Sequence, residues 1–230
     1  ADLLGTNKNQ VFRLVKTLEK NGLLQLNLAT GKYCLGYMIH VLGEIAQPTN
    51  ALLLAAKPTL DELVEKTQET LHLIVLDGDA ALCIDKREGN HGIKLTAKIG
   101  LQVPSLHAGA SPKLLLAYID DEQRQKEIIA QMKMTKYTPN TIIQADDLWR
   151  ELSAIRQKGY SISDEDVDEG ARGVAVPIFD GSGQVVAGLS IGGPVVRVTY
   201  ERLEELRRII TVAAYQVSQR LGYSGPPPVI

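Results

Sequence analysis

Only two of the 230 residues are cysteine, Cys34 and Cys83, and they lie far apart. A chain this long can bury a core without staples, so both read as free thiols in a reducing, cytoplasmic compartment. Aromatics make up 5% of the residues, and neither sign of charge dominates, with 25 Lys+Arg against 27 Asp+Glu. That balance excludes a wholly cationic nucleic-acid coat, though not a small basic module. No run approaches the roughly eighteen uncharged apolar residues that span a bilayer, so no membrane partner is expected. The opening ADLLGTNKNQ has neither the basic nor the apolar part of a signal peptide. Internal repeats, a phosphate-binding glycine loop and a Ser/His/Asp arrangement are all lacking, which argues against an enzyme and against a cofactor. With 44% apolar residues, the chain has an ordinary globular composition, enough for one large or two modest domains.

The charge is unevenly placed. Residues 1–50 hold five basic groups (Lys8, Arg13, Lys16, Lys20, Lys32) and three acidic ones, a net of +2, whereas the remainder carries −4. A local patch of this kind attracts phosphate whatever the total charge; it is also what an ordinary solvated helix face looks like.

Val11, Leu14, Val15 and Leu18 recur at the spacing of one helical stripe, which predicts a helix over 7–21, capped by Thr6 or Asn7 and closed by Asn21-Gly22. Runs at 23–26 and 32–35 around a Gly-bearing turn predict a hairpin. Helix followed directly by hairpin is the ending of a winged helix-turn-helix. Residues 37–56 fit a helix kinked at Pro48 or two successive helices, and a further helix is expected from Pro58, as its first residue, to about 70. Strands are expected at 71–76, 80–86 and 93–96. Helices should follow at 109–119, 122–134 and 146–158, then a hairpin of 173–179 with 184–191, then a final helix over 199–221. Hairpins with helices collected beside them mean an α+β fold. The proline-rich end from Gly225 reads as frayed.

Seven runs in order carry a recognisable pattern: VFRLVKTLEKNGLL (11–24), YCLG (33–36), VPSLHAGASPKLLLAY (103–118), TPNTI (138–142), LWRELSAIRQKGYSISDED (148–166), VAVPIFD (174–180) and GQVVAGLSIGGP (183–194). The chain resembles the IclR family of bacterial transcription regulators. The resemblance implies a winged helix-turn-helix DNA-binding domain over 1–36, truncated at its N-terminus by about a helix and a half. It also implies a linker helix over 37–56 and a GAF-like antiparallel effector-binding domain over 57–224. Homodimers or dimers of dimers, operator DNA and a small organic or aromatic acid effector are the partners it implies.

In such a module Lys8, Asn9 and Gln10 face base edges at the start of the recognition helix, with Arg13 on the same side. Lys16, Lys20 and the wing residue Lys32 suit phosphate. Arg13 fits either role. Relatives commonly carry Ser-Thr where this chain has Asn9-Gln10, which implies a different operator.

The effector pocket implied by the family takes three pieces of this sequence. One is Gly109-Ala110-Ser111, opening a helix whose free N–H groups offer an anion site without a basic side chain, with Pro112 at its first position. The second is the 163–173 loop, where Glu165 helps frame the pocket; the third is Ser190 to Gly192. Members that bind small polar acids have an Asp, a Cys and two Ser where this chain has Ser163, Gly173, Ser190 and Gly192. The two glycines suggest a bulkier effector than a two- or three-carbon acid.

No metal is expected: His40, His72, His91 and His107 show no ligand spacing, and Cys83 with His72 supplies two ligands at most. His107 stands beside the implied pocket. The acidic run from Asp164 to Glu169 lacks the pattern of a calcium loop and reads as solvated. The function expected is therefore an effector-controlled, sequence-specific DNA-binding regulator, with repression or activation equally open. The alternative is a sensor domain that acts through protein contacts, with DNA binding lost.

Overall fold

In the computed structural model, which describes residues 5–46, 50–95, 98–100, 102 and 105–227, the Asn7 side chain caps the first helix, α1 (Lys8–Lys20), by accepting the Gln10 N–H at 2.9 Å. Gly22, at φ +71°, ends it. Its N–H reaches Glu19 O and that of Leu23 reaches Leu18 O, both at 2.9 Å, the paired bonds of a Schellman motif. Strands β1 (Leu24–Asn27) and β2 (Lys32–Leu35) pair antiparallel, Leu24 opposite Leu35. Asn27 shapes the turn by accepting the N–H groups of Ala29 and Thr30. Helix α2 (Tyr37–Ala46) follows; Pro48, where a kink or the break between two helices was expected, lies outside the described residues.

Helix α3 (Ala51–Thr67) runs straight through Pro58, so Pro58 is an interior residue and not the first of a new helix. The proline forfeits one helical hydrogen bond. Burial of Ala55, Ala56, Leu60 and Leu63 on both sides of it holds the helix together, since tertiary packing routinely overrides propensity.

Strands β3 (Thr70–Asp77) and β4 (Ala80–Arg87) form the next hairpin. Helices α4 (Ala110–Ala117), α5 (Glu122–Gln131) and α6 (Ala145–Lys158) come next. They are followed by β5 (Ser161–Asp164), β6 (Ala171–Phe179), β7 (Val185–Pro194) and α7 (Tyr200–Arg220). Ile93, Lys94 and Leu95 form no strand, contrary to expectation, and Thr96 lies outside the described residues. β5 went unforeseen: Ser-Ile-Ser-Asp is short and mostly polar, and it becomes a strand by pairing with β6.

The five strands make one antiparallel sheet in the order β4-β3-β7-β6-β5, and the fold is α+β. Alternation along the strands sends Leu71, Leu73, Leu189, Ile191, Val174 and Val176 to the face where Leu203, Leu206, Ile210 and Val217 of α7 are buried. Arg220 ties the far end of α7 to α3, donating to Ala55 O and Thr59 Oγ1. On the opposite face Ile74, Cys83 and Ala175 pack with Leu114 of α4, Ile128 of α5 and Leu152 of α6. Each fully buried leucine there contributes roughly 1.5–3 kcal/mol. The chain divides into two compact units, Ala1–Leu54 and Ala55–Ile230.

Candidate functional site

Two places hold the residues singled out by the sequence, one in each unit. In the first, α1 has no buried residue. At about 100° per residue, Asn9, Arg13, Lys16 and Lys20 fall on one stripe opposite Val11, Leu14, Val15 and Leu18. Lys8 and Gln10 project to its two sides. All six, and Lys32 on β2, are exposed. Their free charge is less than their number suggests, because Lys16 Nζ sits 2.7 Å from Glu19. The Gln10 side chain is held by the Thr6 hydroxyl. Tyr33 of the hairpin reaches the same Glu19 at 3.5 Å, joining β2 to the helix.

In the second unit a cavity of about 400 Å3 opens beneath the start of α4. Its floor is the sheet, and the register explains the hollow. Thr70, Gly192, Gly173 and Ser163 stand side by side across four strands, and so do His72, Ser190, Ala175 and Ser161. Two adjacent rows of mostly small side chains leave room that leucines would fill. Gly109, Ala110, Ser111, Ser163, Gly173, Ser190 and Gly192 all line it. The glycines answer to the backbone as well as to the space: a Cβ on Gly192 would stand 2.8 Å from Arg172 O, and one on Gly173 3.0 Å from Ile191 O.

Glu165 does not line this cavity. Its carboxylate turns back to accept the Gly170 N–H at 2.7 Å, at a residue held at φ +55°. The carboxylate that matters is its neighbour, Asp166. The acidic run is not solvated there, since Asp166 is 4% exposed. Its Oδ2 takes the Nζ of Lys113 at 2.7 Å and the Gly109 N–H at 3.3 Å, and its other oxygen takes the Ser163 hydroxyl. The helix start thus already meets one protein carboxylate, with a basic side chain in attendance. Burying a carboxylate is costly unless it is both paired and hydrogen-bonded. The N–H groups of Ala110 and Ser111 remain without partners among the described residues, as does the buried Ser111 hydroxyl. Gly109 is the cap at φ +87°, so Pro112 occupies the third helical position rather than the first, where its missing N–H still costs the helix nothing.

The 163–173 loop does contribute Val167 and Asp168, but the sequence did not point to His72, Leu95 or Tyr137, which also line the cavity. Burial lowers the His72 pKa to about 4, helped by Lys86, so its imidazole is neutral near pH 7. His107 stays out: it is fully buried, with Nε2 2.9 Å from Thr135 O and its ring stacked on Tyr137. The run TPNTI acquires a physical role, because Thr138 Oγ1 donates to Glu165 O at 2.5 Å and Thr141 Oγ1 to Asp166 O at 2.8 Å. Those two hydroxyls fasten the 163–173 loop over the cavity. Among the described residues no group of three His, Cys, Asp or Glu side chains could hold a metal ion. No helix among them is long and apolar enough to cross a membrane.

Comparison with known proteins places this geometry. Residues 49–219 match the family model described as bacterial transcriptional regulator IclR C-terminal. The HTH-type transcriptional regulator KdgR of Dickeya chrysanthemi is 34% identical over 96% of this chain and 72% of its own. The crystal structure of the Thermotoga maritima IclR superposes with a TM-score of 0.79 at 32% identity, covering 97% of this chain and 89% of that one. The PobR inducer-binding domain from Acinetobacter, a double mutant in complex with 3-hydroxybenzoic acid, superposes at 0.65 with 25% identity over 71% and 95% of the two chains. Breadth of match and level of identity together lead to one conclusion: the chain belongs to the IclR family of bacterial transcriptional regulators.

Proposed function

We propose that the chain binds operator DNA through a winged helix-turn-helix within residues 1–36, and a small organic or aromatic acid through a GAF-like domain over 57–224. Residues 37–56 act as the linker. The observation that carries the effector half is the cavity beneath α4, with the unpartnered N–H groups of Ala110 and Ser111 and the hydroxyls of Ser111 and Ser190 as neutral donors to a carboxylate. A helix start supplies such donors together with a favourable dipole. The hydroxybenzoate held by the inducer-binding domain of PobR supports an acid of that size.

In this reading α1 is the recognition helix and the β1–β2 hairpin its wing. Lys8, Asn9, Gln10 and Arg13 meet base edges, while Lys16, Lys20 and Lys32 meet phosphate. α2 exposes Tyr37, Met38, Ile39, Val41, Leu42 and Ile45, a face that supports assembly into a homodimer or a dimer of dimers. Paired recognition helices must present about one DNA turn, or a multiple of it, apart. An acid that binds one spacing better than another shifts the population and with it the affinity for DNA.

A melting-temperature screen with benzoates, sugar acids and short oxo acids tests this. A saturable rise that vanishes in Ser190→Phe is the expected result, because a ligand that binds only the folded state stabilises it by mass action. No rise from any of these acids, with operator binding intact, overturns the effector half.

A further inference from the structure

The chain has eleven Phe, Tyr and Trp side chains, and five of them (Tyr118, Tyr160, Phe179, Tyr215 and Tyr223) line one cavity of about 280 Å3 that shares no lining residue with the cavity beneath α4. It opens beyond the start of β5, where the last residues of β6 have no strand neighbour on that side. Phe179 and Tyr223 stack with centroids 4.9 Å apart, and Tyr215 meets Tyr223 edge-on at 6.3 Å. The outer wall is the end of the described chain; the rest of the proline-rich end, from Pro228, lies outside the described residues. Tyr215 Oη donates to Gly225 O at 3.3 Å, and Pro226 and Pro227 complete the lining.

The charge of this wall is one-sided. Arg156, Lys158 and Arg207 contribute to it and no acidic residue does. Arg207 is neutralised by a two-point pairing with Glu204, both bonds at 2.7 Å. Arg156 is not. Its guanidinium donates to Ala117 O and Ile119 O and has no carboxylate partner among the described residues. Two carbonyls orient the group without cancelling its charge.

The geometry points to a second ligand site here, taking a planar aromatic carboxylate whose ring lies among Phe179, Tyr215 and Tyr223 and whose anion meets Arg156. Ring stacking selects flat apolar ligands, and an oriented guanidinium with spare N–H groups selects a carboxylate. The site is independent of the cavity beneath α4, so either can fail alone.

Calorimetric titration of the 230-residue chain with naphthoate tests it. Saturable binding is expected. It should weaken about tenfold in Arg156→Gln, the worth of a charge-assisted hydrogen bond, and comparably when naphthalene methanol replaces the acid. Tyr223→Ala should weaken both compounds alike by removing the stacking wall. Circular dichroism confirms that each variant is folded. An affinity indifferent to both substitutions, binding that disappears only in Ser190→Phe, or no heat at millimolar ligand each overturns the proposal.

Discussion

Lys113 Nζ lies 2.7 Å from Asp166 Oδ2, and each side chain is only 5% exposed. The two residues come from α4 and from the loop that follows β5, so their pairing fixes the loop over the cavity. Removing Lys113 strands a carboxylate in the interior, and removing Asp166 leaves the ammonium only Glu151, 3.6 Å away. Asp166→Ala should therefore cost about 3–5 kcal/mol in urea unfolding, and Lys113→Met a similar amount. The double variant Lys113→Met with Asp166→Leu should cost much less than the two combined. Additive losses would show that the pair is not coupled.

His72 gives the cavity a dependence on pH. Its folded-state pKa of about 4 lies below the usual histidine value of 6.5, so the unfolded chain binds the proton more readily. Stability contributed by neutral His72 is complete above the unfolded value and is lost as pH falls toward the folded one. Between pH ~7.5 and pH ~5 this amounts to about 2 kcal/mol. His72→Gln should flatten that part of the urea-unfolding profile; an unchanged slope would assign the acid sensitivity to other groups.

Gly192 and Gly188 share β7 but not the same constraint. A methyl at 192 runs into the Arg172 carbonyl at 2.8 Å, which only backbone movement relieves, whereas at 188 it meets the Leu114 methyl at 3.3 Å and the Ser111 side chain. Gly192→Ala should lose roughly 1–3 kcal/mol, and Gly188→Ala less. Equal losses in thermal unfolding would count against the close approach of β6 and β7.

On DNA, Lys20→Ala should weaken all sequences alike and lower the salt slope of binding by about 1, as loss of one phosphate contact does. Arg13→Ala should instead relax preference at one base pair. Titrations against operator and random duplex at several salt concentrations distinguish the two outcomes.

Much of this architecture was legible because it rests on local chemistry. Asn7, Gly22 and the stripe from Val11 to Leu18 announce α1, and Asp180 to Gly183 announce the β6–β7 turn. The residues of the cavity floor were reached through their resemblance to a family pattern. Asp166 was not, because its meaning depends on Lys113 and Gly109, more than fifty residues away and adjacent only after folding. His72 looked like any core residue of a strand until its row with Ser190 was formed. Pro58 misled for the converse reason: a strong local signal for the first residue of a helix was overruled by buried apolar residues on both sides of it.

The residues of the cavity floor differ in what they permit. At Gly192 and Gly173 the neighbouring backbone forbids added atoms, whereas Ser190 and Ser163, which also line the hollow, already carry a Cβ. Mutational drift, or an engineer building a metabolite reporter, can therefore reshape the hollow at the two serines and not at the two glycines. The glycines keep β6 and β7 in close approach while the shape of the chamber is rewritten.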